Sequence, residues 1–248
     1  LGEFSLAITF RNQLHSSLLL RLTKTVICLA KSSWHSRLLL SHTPHIKADR
    51  HLVEQYSKLA MINSDNFDGE SPKLKLYIEA KKFAKPTLGI NAGATYGSAK
   101  RWYPESFSEV GASFSSEYNI IIFGGPSEVE MAQEIEDHLI TMGVKNYTNL
   151  AGKTNIKELC VSIGGCSLFV TNDSGPMHVA AAYNVPTVAI FGPTKYTETS
   201  QWKNKKSLIV RHEMECSPCM KRECPLGHHD CMKSITSAEV ITSIKSLL

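Results

Sequence analysis

The chain has no stretch of 18 or more apolar residues, which excludes a membrane-spanning helix as its organising feature. The nearest candidate, Leu18 to Ala30, is short and is broken by Arg21 and Lys24. A secretory signal is not visible, and neither an internal repeat nor a low-complexity tract is found. The Gly-Lys-Ser/Thr ending of a P-loop is absent, and no Asp-x-Asp pair offers the usual metal–diphosphate site. Cysteine is present, but its seven residues, four of them clustered near one end, do not form a secreted disulfide framework and point to a reducing cytosol. Acidic residues are scarce at the start. Residues 1–60 carry eight Lys/Arg against Glu3, Asp49 and Glu54, a local charge of +5 in a chain of +4. Such a block suits an anionic partner (a phosphorylated lipid, a membrane surface or nucleic acid) or is simply a solvated basic face.

What is present is an α/β rhythm. The 248 residues suffice for one large domain or two small ones. Residues 1 to about 80 contain one strand-like run, Phe4 to Phe10, several Leu-rich helical pieces and a helix-like stretch from Asp49 to Met61. Asn63 to Pro72 reads as a polar linker. From Pro86 onward strands and helices alternate. The strands are Thr87–Asn91, Asn119–Gly124, Asn146–Leu150, Ser167–Val170 and the run after Val185; the helices are Pro104–Ser115, Ser127–Met142, Asn155–Gly164 and the Ala-rich segment to Tyr183. A last amphipathic helix covers Ser237–Leu248. This alternation implies a largely parallel sheet with helices on both faces. The chain starts at Leu1, and its first block has too few strands to close a sheet, so it is expected to lack its first βα units.

Three segments carry chemistry. Thr171-Asn-Asp-Ser-Gly-Pro-Met-His178 follows a buried strand and opens a helix, with Pro176 in the first turn and Asp173 or Ser174 as a cap. The free amides of such a helix start face the carboxyl edge of the sheet, where α/β proteins bind phosphorylated ligands. Asn91-Ala-Gly-Ala-Thr-Tyr-Gly-Ser-Ala-Lys-Arg-Trp102 follows another strand, and its small residues let backbone approach a diphosphate. Lys100 there can neutralise charge on a leaving phosphate; the plainer reading is a flexible loop. Glu128 sits at a helix start on the same edge, as a ribose ligand or as a plain dipole-stabilising carboxylate. His178 is a ligand-facing or a semi-buried histidine. Cys216, Cys219, Cys224 and Cys231, with His228 and His229 among them, can supply a structural zinc site or stand as reduced thiols near the cleft.

Taken together, Asn91–Trp102, Leu150-Ala-Gly-Lys-Thr154, Thr171–His178 and Phe191-Gly-Pro-Thr194 resemble the ADP-heptose:lipopolysaccharide heptosyltransferases of Gram-negative bacteria, most like the heptosyltransferase II branch. The resemblance implies a GT-B-type fold of two Rossmann-like domains with parallel sheets. Residues 1–80 would be the incomplete acceptor-side domain and 81–248 the donor domain with its terminal helix. It implies that Thr95, Gly97 and Lys100 bind the diphosphate and Glu128 the adenosine ribose. Asp173, Ser174, Gly175 and His178 would line the sugar–phosphate region. It implies inverting transfer with no cofactor required, an ADP-heptose donor and a lipopolysaccharide inner-core acceptor. The place would be the cytoplasmic face of the inner membrane, with peripheral membrane contact and no nucleic acid. The general base of the family lies in the amino-terminal segment expected to be missing, so impaired transfer is expected. Two alternatives stay open: the same fold with another donor or acceptor, and a non-catalytic nucleotide- or zinc-binding module.

Overall fold

A computed structural model of the chain describes residues 4–47, 49–61 and 71–248. The chain divides into two compact units, Leu1–Pro72 and Lys73–Leu248. Residues 73–80 thus group with the second unit, and hydrogen bonds show why. Lys81 N–H donates to the Val161 carbonyl (2.8 Å), and the Tyr183 hydroxyl donates to the Ile78 carbonyl (2.8 Å). As far as residue 70, the expected linker Asn63–Pro72 lies outside the described residues.

The first unit runs β1 (Leu6–Thr9), α1 (Leu14–Leu22), β2 (Ile27–Ala30), α2 (Trp34–Leu39) and α3 (Leu52–Ala60). β1 and β2 pair in parallel, with Leu6 opposite Ile27 and Thr9 opposite Ala30. β2 is a strand that the sequence pattern hid, because it ends the same Leu-rich run that begins in α1. The break between them falls at Lys24, in the left-handed region at φ 57°. Alternate residues of β2 serve two small clusters: Cys28 and Ala30 with Leu40, and Leu29 with Ile46 and Leu59. α2 opens on a capping box in which Ser33 and Ser36 satisfy each other's backbone amides.

The second unit continues with β3 (Thr87–Asn91), α4 (Pro104–Phe114), β4 (Asn119–Phe123), α5 (Val129–Thr141), β5 (Tyr147–Asn149), α6 (Ile156–Gly164), β6 (Leu168–Asn172), α7 (Gly175–Tyr183) and β7 (Thr187–Ile190). It ends with α8 (Tyr196–Thr199), β8 (Ser207–Val210), α9 (Asp230–Lys233) and α10 (Ser237–Leu247). Its six strands are all parallel, in the order β5-β4-β3-β6-β7-β8. The chain therefore lays down β3, walks outward to β5, and returns to the other side of β3 with β6. That reversal opens a crevice at the carboxyl ends of β3 and β6.

Period-2 alternation builds two cores. Leu88, Ile90, Ile120, Ile122, Leu168 and Val170 point to the face covered by Phe107, Val110, Ile135, Leu139, Val240 and Ile244 of α4, α5 and α10. Ile121, Phe123 and Phe169 face Ile163, Ala180 and Val185 instead. Gly89 makes room on that second face, since a Cβ there would stand 2.6 Å from the Phe169 ring. Each fully buried Ile or Phe contributes about 1.5–3 kcal/mol. Helix starts follow their local chemistry: Pro104 in the first turn of α4, and capping boxes at Asn155/Glu158 for α6 and Thr236/Glu239 for α10.

Candidate functional site

A cleft of about 400 Å³ opens at the crevice between β3 and β6. Its wall takes Asn91, Gly93, Thr95, Tyr96 and Lys100 from the segment after β3, and Gly124, Gly125 and Glu128 from the turn after β4. Asp173, Ser174, Gly175, Pro176 and His178 come from the turn and helix after β6, with Leu159 and Thr199 completing it. All the donor-site candidates read from the sequence are in this wall except Gly97.

The centre of the wall is an ion pair. Lys100 Nζ lies 2.5 Å from Asp173 Oδ2 and 3.4 Å from the Asp173 carbonyl. The two side chains are 12% and 4% exposed. The Thr194 hydroxyl donates to the same Oδ2 at 2.7 Å. Asp173 is therefore not a helix cap, because its carboxylate is spent on Lys100 and Thr194. Ser174 occupies the N-cap position of α7, yet its side chain makes no capping bond. Its hydroxyl instead accepts from Asn91 Nδ2 (3.3 Å) and meets Thr171 Oγ1 (3.3 Å). In the first turn of α7, Pro176 has no N–H and Met177 N–H donates to the Ser174 carbonyl (3.2 Å), and Gly175, Pro176 and His178 line the cleft.

The loop carrying Lys100 is tied at its ends. Asn172 donates to the Ala92 carbonyl (2.5 Å) and accepts from Trp102 N–H (3.1 Å), so one side chain gathers both ends of the segment. The indole of Trp102 is buried against Phe107 and donates to the Ile235 carbonyl (3.0 Å). The Tyr96 ring of this loop has the Lys100 ammonium 4.8 Å from its centre and, from between β8 and α9, the Arg222 guanidinium 5.3 Å away.

Glu128 ends a short 3-10 turn, Pro126–Glu128, that precedes α5. Its Oε2 accepts from Gly125 N–H (2.8 Å), so it both orders the turn and presents a carboxylate to the cleft. Gly93 exists for this carboxylate: a Cβ there would stand 2.0 Å from Glu128 Cδ. Gly97 has a different task. Its Cβ position lies 2.1 Å from the Arg222 carbonyl oxygen, so it permits close packing of two backbones behind the wall. Asn91, Tyr96 and Thr194 were not singled out as site residues by the sequence pattern. Asn91 ends its strand like any polar residue, and Thr194 reaches Asp173 only through the fold.

The cysteine-rich loop runs from residue 213 to 229, between β8 and α9. Cys216, Cys219, Cys224 and Cys231 line one small cavity of about 20 Å³ together with His228 and His229. All are free thiols. Among the described residues no group of three or more His, Cys, Asp or Glu is placed to hold a metal ion. The N–H of His229 above all holds the Cys224 thiol below its usual pKa. Burial, and then the neighbouring cysteines, push Cys231 up to about 11.

A parallel α/β sheet with small-residue loops, a helix amino terminus and a largely buried lysine at its switch point has the architecture of the doubly wound class. The sequence model of glycosyltransferase family 9 (heptosyltransferase) matches residues 2–229, and the chain belongs to this family. It is 40% identical over 255 residues to lipooligosaccharide heptosyltransferase 2 of Campylobacter jejuni, covering 100% of this chain and 77% of that protein. The structure of Escherichia coli ADP-heptose lps heptosyltransferase II superposes with a TM-score of 0.79 at 25% identity, over 98% of this chain and 76% of that one. The iron-containing dodecameric glycosyltransferase TibC of enterotoxigenic E. coli shares the fold over 72% of this chain and 50% of its own, with a TM-score of 0.54 at 20% identity. The protein is a glycosyltransferase with an α/β fold of parallel sheets. Among the described residues no helix is long and apolar enough to cross a membrane.

Proposed function

We propose that this chain moves heptose from ADP-heptose to a heptose of the lipopolysaccharide inner core, with inversion and without a metal. The observation that carries the reading is the Lys100–Asp173 pair, set in the wall of a 400 Å³ cleft at the switch point of the sheet. The names of the Campylobacter and E. coli relatives supply the sugar and the acceptor class.

In this reading the diphosphate lies between the start of α7 and the loop from Gly93 to Lys100. Thr95 and Lys100 donate to its oxygens, and Glu128 accepts from the ribose hydroxyls. Asp173, Ser174, Gly175 and His178 border the sugar. An acceptor hydroxyl attacks the anomeric carbon while the bond from that carbon to the diphosphate oxygen breaks. The electron pair leaves with ADP, whose growing charge Lys100 offsets. The acceptor's proton passes to a base on the acceptor side. One preorganised donor of this kind is worth about 10²–10³ in rate. The basic residues of the first sixty, +5 in balance, suit a phosphorylated acceptor at the cytoplasmic face of the inner membrane.

The test is ADP release from ADP-heptose in the presence of heptose-terminated core acceptor. Acceptor-dependent release with a matching mass increase of the acceptor is expected. Transfer from a different nucleotide sugar, with ADP-heptose left intact, would overturn the reading.

A further inference from the structure

The cysteine-rich loop makes a set of contacts that the proposed reaction leaves unused. Three of the four residues before Lys100 are held by it. The Tyr96 hydroxyl donates to the Met220 carbonyl (2.8 Å). Gly97 packs against the Arg222 carbonyl so closely that a Cβ would stand 2.1 Å from its oxygen. Ala99 has both backbone groups engaged: its N–H donates to the Arg222 carbonyl (3.0 Å), and its carbonyl lies 2.8 Å from His229 Nε2. A carbonyl only accepts, so Nε2 carries the hydrogen. Nδ1 of the neutral ring is then an acceptor, and the Tyr103 hydroxyl lies 3.0 Å from it.

The same loop is anchored at the far side of the ion pair. Met220 N–H donates to the Pro193 carbonyl (2.8 Å) and the Ser217 hydroxyl to the Gly192 carbonyl (2.6 Å). Gly192 and Pro193 directly precede Thr194, the residue that bonds Asp173. One loop therefore braces both halves of the Lys100–Asp173 pair from behind. The turn that carries Lys100 has few bonds of its own: Lys100 N–H to the Gly97 carbonyl at 3.3 Å and Arg101 N–H to the Ser98 carbonyl at 2.9 Å.

We propose that residues 213–229 are a clasp on the phosphate-binding loop, and that His229 is its positioning residue, setting where the Lys100 ammonium stands. The proposal rests on the reading of this cleft as the donor site. His229 touches neither donor nor acceptor. It acts through Ala99, the residue next to Lys100, by fixing the carbonyl of their shared peptide bond. A shift of about 1 Å in a charge-stabilising group can cost about 10²-fold in rate, so the clasp governs the reaction without taking part in it.

Four measurements on the full chain test this. In His229→Ala, the ADP dissociation constant is expected to rise about tenfold and kcat/KM for the donor to fall about 10–100-fold. The melting temperature should stay within about 4 °C of the parent. His229→Gln, whose amide can donate to Ala99 and accept from Tyr103, is expected to recover most of the affinity. Amide exchange should quicken over residues 96–101 in His229→Ala and stay unchanged in α5. A purely structural histidine would lower the melting temperature and leave ADP affinity, measured well below melting, within twofold of the parent. That result would overturn the proposal. If the parent itself binds no ADP, the donor-site reading fails and exchange alone decides: unchanged protection over 96–101 rejects the clasp, and lost protection supports it.

Discussion

Lys100 and Asp173 neutralise each other where water scarcely reaches, and this alters what a substitution at either can be expected to show. Read from sequence, Lys100 is a cation on a loop, and Lys100→Ala should weaken donor binding with little effect on unfolding. The fold shows that it would also strand a buried carboxylate with Thr194 as its remaining partner, at a cost on the order of 3 kcal/mol. The informative variant removes both charges. Lys100→Met with Asp173→Asn is expected to regain most of the melting temperature lost in Lys100→Ala, yet to remain at least tenfold weaker for ADP-heptose in titration calorimetry. Recovery of affinity together with stability would make the lysine a structural residue only. Gly93 offers a second residue-scale test. A methyl group there meets the tip of the flexible Glu128 side chain rather than backbone, so the chain yields by moving that carboxylate. Gly93→Ala should therefore melt within about 2 °C of the parent while losing ADP affinity to the same degree as Glu128→Ala. A clearly larger loss in only one of the two variants would show that the glycine and the carboxylate do not act as a pair.

Among the elements, α10 closes the core over β7 and β8, and its start is electrostatic. Glu239 accepts from the N–H (2.8 Å) and hydroxyl (2.8 Å) of Thr236, and from His212 Nε2 (2.9 Å). The Thr236 N–H first, then its hydroxyl and His212, hold the carboxyl below its ordinary pKa of 4.5. A pKa depressed in the folded state stabilises above the unfolded value and loses that effect as pH falls through the folded one. Glu239→Ala should thus lower the melting temperature by about 2–4 °C at pH 7, with the gap to the parent narrowing below pH 4.5. A gap independent of pH would show that the charge of the carboxylate does not carry the effect, and helix propensity could not account for it, since alanine is the better helix former. The same scale shows what was legible beforehand. β3, β4 and β6 were readable because buried parallel strands are short apolar runs bounded by turn residues. β8 was not, since Ser207 and the lysines before it mask three apolar residues at a sheet edge. β2 was hidden inside a run of leucines that also suits a helix. The segment after β3 was legible as a candidate cleft wall from its small residues, whereas Thr194, Asn172 and His229 act through contacts 21 to 130 residues distant in sequence. Local pattern does not encode such pairings.

At the scale of the whole molecule, the residues described as lining the cleft belong to the unit Lys73–Leu248. The strand reversal gives the crevice, α7 and the loop after β3 give it donors, and the cysteine-rich loop stiffens it from behind. In the proposed reaction, nucleotide-sugar binding is a property of the second unit. The proposed reaction requires that this cleft receive an ADP-sugar. The most direct test is titration calorimetry of the folded chain with ADP, ADP-heptose and UDP, run at more than one salt concentration. Binding of ADP and ADP-heptose, weakening as salt rises, and at least tenfold weaker binding of UDP is the result expected. A folded chain that binds neither adenine ligand, or that binds UDP as tightly, would contradict it.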